Sequence, residues 1–201
     1  MDTPLSGQAA SDSDGEEGGA FVTFQLNGRL QPIHRDASFG HPLEEALSAR
    51  GIGELDGGGT QQTPTGEVEY CDVVALIREP IATNAAAAAA FLAGLGAPAG
   101  SHYRVDGSDD KVPFGVTQGL ALYLNGTDLP AETYATADVN ELIERLIEAL
   151  ADHGALKSHW RGPAETALYF YGKTFDAMAA AIAPVIASHP LAQQGRVEQI
   201  A

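Results

Sequence analysis

Two apolar runs in this chain close on the same tripeptide: FQLNGRL at 24–30 and LYLNGTDL at 122–129. Asn-Gly accepts a positive φ, so each run predicts a strand that stops in a turn. A polar stretch follows each run, and then the apolar spacing changes from alternating to helical. Residues 42–51, PLEEALSARG, carry Pro42 at the first helical position and Gly51 as the stop. Residues 138–154, DVNELIERLIEALADHG, place Val139, Leu142, Ile143, Leu146, Ile147 and Leu150 on one helical face. Asp138 and Glu141 form a capping-box pattern in front of that face, and Gly154 is expected to end the helix.

The parallel continues. After each helix comes a glycine-containing join and a strand, GELDGGGTQQTPTGEVEYCDVVALI at 53–77 and ALKSHWRGPAETALYFYG at 155–172. A second helix follows in each half, over 84–96 with Asn84 as N-cap and over 174–189 with Thr174 as N-cap. Each half closes on a short strand holding Arg-Val, HYRV at 102–105 and GRVEQI at 195–200. The order is therefore β-α-β-β-α-β twice, over 21–105 and 118–201, with 106–117 as a polar linker and 1–20 as an acidic, disordered tail. This order resembles the ferredoxin-like fold. With right-handed crossovers it implies an α+β protein of two tandem units, each a four-stranded antiparallel sheet with two helices on one face. The strands EYCDVVALI and TALYFYG are apolar on both alternating sets, as strands buried on both faces are. The two sheets are accordingly expected to pack against each other, leaving an inter-repeat cleft at the rim.

Charge narrows the choice of partners. Twenty-seven acidic side chains face eleven basic ones among 201 residues, a formal net charge of −16, and five of the acids lie in the first twenty residues. Such a surface repels phosphate backbones, which argues against nucleic acid and suits a basic protein partner. Cys71 is the one cysteine, so neither an intramolecular disulfide nor a cysteine metal cluster is available. The first residues lack the basic and apolar regions of a signal peptide, and no apolar run approaches the roughly 20 residues that span a bilayer. The expectation is a soluble, cytoplasmic protein that does not engage a membrane.

Candidate chemistry is sparse. Gly57-Gly58-Gly59 matches neither GxxxxGK[ST] nor GxGxxG, and a Thr-Pro-Thr-Gly turn rather than a helix follows it. A bulged hairpin explains the glycines. If a ligand cleft exists, it is expected between this first join, at Gly58 and Thr60, and the second, at His159, Arg161 and Glu165, where a cation and an acid stand together. The six histidines form neither HxH nor HExxH, so neither a metal nor a cofactor is expected. Cys71, in the middle of an apolar strand, reads as buried and inert. No GxSxG elbow occurs. Tyr169, Phe170 and Tyr171 read as core, with hydroxyls that must find partners. Three functions fit these features. One is a non-catalytic binding protein acting on a basic protein partner, such as an inhibitor or immunity-type protein. Another is a small enzyme or ligand binder using the cleft between the repeats. The third is an assembly subunit using a sheet edge. A pocket of several hundred Å³ with converging polar groups favours the second reading over the first.

Overall fold

A computed structural model describes residues 18–201. The expected tail falls mostly on residues outside that range. The N-terminal half comprises β1 (Gly19–Leu26), a single helical turn α1 (Pro32–Arg35), α2 (His41–Arg50), β2 (Gly53–Gln62), β3 (Val68–Arg78), α3 (Ile81–Gly94), β4 (His102–Val105) and β5 (Val112–Pro113). A π-helical turn, Asp36–Gly40, joins α1 to α2. The C-terminal half comprises β6 (Gln118–Asn125), α4 (Ala131–Thr136), α5 (Val139–Leu150), β7 (Gly154–Arg161), β8 (Glu165–Gly172), α6 (Phe175–Ser188) and β9 (Arg196–Gln199). Strand order is β2-β3-β1-β4-β5 in one sheet and β7-β8-β6-β9 in the other, antiparallel throughout. Apart from β5, both orders are those of the ferredoxin-like fold. The two-residue β5 pairs with β4 from within the segment read as linker and extends the first sheet to five strands. Among the described residues no helix is long and apolar enough to cross a membrane.

Local chemistry accounts for most boundaries. Asp138 caps α5 by accepting from the Asn140 amide at 2.8 Å, and Thr174 caps α6 by accepting from the Ala177 amide at 3.3 Å. Gly51 closes α2 in the left-handed conformation, φ +64°. Two expectations shift. Helix α3 starts three residues before Asn84, whose side chain donates to the Arg78 carbonyl instead of capping. Helix α5 stops at Leu150, and Gly154 begins β7 after a 3-10 turn.

The two sheets differ in how they are covered. In β1 and β3, Val22, Phe24, Leu26, Cys71, Val73, Ala75 and Ile77 are buried against the helices, and the alternate residues Thr23, Gln25, Tyr70, Asp72, Val74 and Leu76 are only half-buried. EYCDVVALI is thus a one-sided strand. In β8 both sets are buried. Leu168 and Phe170 join the α5–α6 core, whereas Ala167, Tyr169 and Tyr171 join the core of the N-terminal half. The halves therefore do pack through the free face of the second sheet. What reaches that face is residues 29–34 and Glu67, by hydrogen bonds to Tyr123, Ser158, Tyr169 and Tyr171. An alternating apolar pattern records that a face is covered, not by what.

The glycine run lies in β2 beside a bulge: Leu55 pairs with Ala75 and Gly57 with Val74, leaving Asp56 unpaired. Gly57 has φ +156°. At Gly58 a Cβ would overlap the Asp72 carbonyl oxygen and press on the Arg35 guanidinium. Gly58→Ala is expected to destabilise the protein by about 1–3 kcal/mol, the usual cost of overpacking. A denaturation midpoint equal to that of the parent would show that β2 gives way freely.

Candidate functional site

Helix α1 occupies the space between the two joins. On one side, the Arg35 guanidinium donates to the Gly59 carbonyl at 2.9 Å and lies 3.4 Å from the Thr60 hydroxyl. On the other, His34 Nδ1 is 2.9 Å from Ser158 Oγ, and its ring is 5.5 Å from that of His159. Gly58 and Thr60 thus belong to the seat of Arg35, and His159 to a contact with His34. Ser158 is 2% exposed and accepts the Gln31 amide, so its own hydroxyl is free to donate to a neutral His34. Burial, followed by the charge of His159, holds His34 below its ordinary pKa. The unfolded chain then binds this proton more readily than the folded one, so the contribution is full above about pH 6.5 and is lost as pH falls below it. Denaturant midpoints are expected to drop between pH 7.5 and 5, and His34→Asn to flatten that slope. An unchanged slope would remove His34 as its source.

Arg161 and Glu165 leave the β7–β8 hairpin on opposite faces. Strand alternation puts Glu165 with Ala167 and Tyr169, facing the N-terminal half, where it pairs with Arg196, itself stacked 3.8 Å over the Tyr123 ring. Arg161 pairs with Thr166, which lies on the helix-covered face with Leu168. Gly58, Thr60 and His159 thus lie around α1, whereas Arg161 and Glu165 border one cavity from opposite faces of the hairpin, so the five sequence candidates do not share one cleft. Cys71 is fully buried, and that burial pushes its thiol up to about 12.

The strongest polar group at the junction centres on Glu67. Its Oε1 accepts from Tyr123 at 2.6 Å, from Tyr169 at 2.7 Å and from Arg29, and the Tyr171 hydroxyl receives the Arg29 amide at 2.7 Å. Burial opposes ionisation of Glu67, but the two tyrosine hydrogen bonds and the charge of Arg29 outweigh it and keep the carboxyl below its usual range. Burial and the bond to this carboxylate push Tyr123 up to about 12, and Tyr169 higher still. Sequence reading missed Arg29 and Glu67. The available signal was the tyrosine spacing: Tyr169 and Tyr171 alternate on a strand apolar on both faces, so their buried hydroxyls required polar partners.

Two cavities flank the hairpin turn at 162–165. One, of about 350 Å³, lies between the halves, lined by Glu67, Asp128, Glu165, Thr65, Thr127 and Trp160. The other, of about 520 Å³, lies within the C-terminal half, where Arg161 and Thr166 meet the apolar side chains of Leu124, Val139, Pro163 and Leu191. Among the described residues no three His, Cys, Asp or Glu side chains converge as a metal site.

No family model and no curated protein matches this chain. Solved structures align along most of its length at low similarity. A protein of unknown function from Galdieria sulphuraria is 11% identical over 90% of this chain and 96% of its own, with a TM-score of 0.29. The regulatory subunit of aspartate kinase from Thermus thermophilus is 14% identical over 83% and 93%, at 0.27. A mutant chlorite dismutase from Candidatus Nitrospira defluvii is 13% identical over 90% and 89%, at 0.30. Scores of this size carry no property of those proteins to this chain, whose ferredoxin-like character follows from its own strand order.

Proposed function

We propose that the protein is a non-catalytic binding protein for a basic protein partner, in which the cavity of about 350 Å³ between the halves receives a Lys or Arg side chain of the partner rather than the small molecule that its size alone would favour. The observation that supports this most is the lining of that cavity by carboxylates from three separate segments beside the Trp160 indole: Asp128, which makes no ion pair among the described residues, together with Glu67 and Glu165, which Arg29 and Arg196 already hold. A carboxylate rim over an aromatic wall suits an ammonium or guanidinium group. The chain's net charge of −16 acts in the same direction by steering basic surfaces toward it.

An affinity capture from native cells, quantified by mass spectrometry, tests this reading. Asp128 is the variant of choice because it is exposed and, among the described residues, its carboxylate meets only Asn125 and Thr127. A basic protein is expected to be retained by the parent, released by moderate salt, and lost from Asp128→Lys with an unchanged melting temperature. Screening over about 8 Å at physiological ionic strength underlies the salt response. Retention of the same protein by Asp128→Lys, or capture indifferent to salt, would overturn the proposal.

A further inference from the structure

We propose that the 520 Å³ cavity of the C-terminal half, which adjoins the first cavity at Pro163 and Glu165, is a second site, for a small organic acid with an apolar body. The cavity opens where the helix cover of the second sheet begins, between the start of α5 and the β7–β8 turn. Its volume falls within the range of about 300–1,000 Å³ typical of small-molecule sites. Leu124, Val139, Pro163 and Leu191 give it apolar walls, suited to a short aliphatic or aromatic group.

The polar groups select the other end of the ligand. Arg161 makes no ion pair among the described residues, although the chain holds 27 acids against 11 cations. The one carboxylate that lines the same cavity, Glu165, is already held by Arg196. Thr166, paired with Arg161 across the hairpin, adds a hydroxyl on the same face. A guanidinium with a neighbouring hydroxyl matches one carboxylate in a two-point contact. A dianionic phosphate fits less well. The lining includes no lysine, the α5 N-terminus is already capped by Asp138, and the chain as a whole repels multiple negative charge.

The test uses the full chain with hexanoate and phenylacetate as probes, and hexanol and hexylamine as controls, followed by amide chemical shifts and calorimetric titration. The two acids are expected to bind at millimolar concentration or better and to shift amides of 124–126, 137–139 and 161–166, while the alcohol and amine bind at least tenfold more weakly. Arg161→Gln is expected to lose at least tenfold in acid affinity with an unchanged melting temperature, because Arg161 is exposed and makes no ion pair among the described residues. Leu191→Trp, which fills the cavity and keeps Arg161, is expected to lose acid binding as well. Equal binding of alcohol and acid, acid binding unaffected by Arg161→Gln, or no shift with either acid at 10 mM, on the order of the weakest affinity such a contact should give, would each overturn the assignment.

Discussion

Glu67→Ala is expected to lower the unfolding free energy by about 3–5 kcal/mol, the range for removing one partner of a buried charge pair. The side chain is 14% exposed, and its Oε1 is the shared acceptor of Arg29, Tyr123 and Tyr169. Alanine would leave a half-buried guanidinium and two tyrosine hydroxyls without their acceptor at the contact between the halves, and unmet buried donors cost more than a made hydrogen bond returns. Urea denaturation of the two proteins measures the difference. A loss below 1 kcal/mol would mean that water replaces the carboxylate and that the cluster adds little to the docking of the halves. The pH dependence supplies an independent check. Because the folded carboxyl ionises below its ordinary pKa, its contribution is present above about pH 4.5 and disappears as pH falls through the lower folded value. Glu67→Gln is therefore expected to be less stable than the parent at neutral pH and to converge with it in acid.

Leu146→Ala is expected to cost about 2–5 kcal/mol, the range observed when a core leucine is truncated and the cavity does not collapse. Leu142, Leu146 and Leu150 are each 0% exposed and form the inner line of α5 against Leu120, Leu122, Phe170 and Ile182. Leu146 is the middle of the three, so neighbours on both sides hinder relaxation. Val139 and Ile147 of the same predicted face are 42% and 50% exposed, and Ile147→Ala should cost far less. Thermal or urea unfolding of the two variants side by side would contradict this packing if Ile147→Ala proved the more damaging.

That contrast marks how far the periodicity reaches. The helical stripe at 139–150 identified the right face but made it too wide, since whether an outer position is covered depends on what lies beside the helix. The same holds for the strands. EYCDVVALI and TALYFYG have similar patterns, yet only the second is buried on both sides, because residues 29–34 and Glu67 reach it and nothing comparable among the described residues covers the free face of β1 and β3.

Around the candidate site the structure groups the side chains differently from the sequence expectation. His159, Arg161 and Glu165 are neighbours along the chain, but strand alternation sends Arg161 and Glu165 to opposite faces, and α1 lies where a cleft between the joins was expected. Glu67, Arg29 and Asp128 carried no motif at all. Glu67 and Arg29 meet each other 38 positions apart and tyrosines 56 to 142 positions away, and Asp128 comes beside Glu67 only in the folded chain.

What the sequence determined by itself is the local grammar: the caps at Asp138 and Thr174, the stop at Gly51, the bulge in the glycine run, and the strand and helix order that gives both sheets the ferredoxin-like arrangement. These features rest on interactions within a few residues, or on a periodicity that each element carries alone. Only the tertiary structure decided which sheet face is covered, which carboxylate gathers the tyrosines, and on which side of the hairpin each cavity forms. Those outcomes depend on contacts between segments distant in sequence, and binary patterning constrains such contacts to a face without choosing the partner.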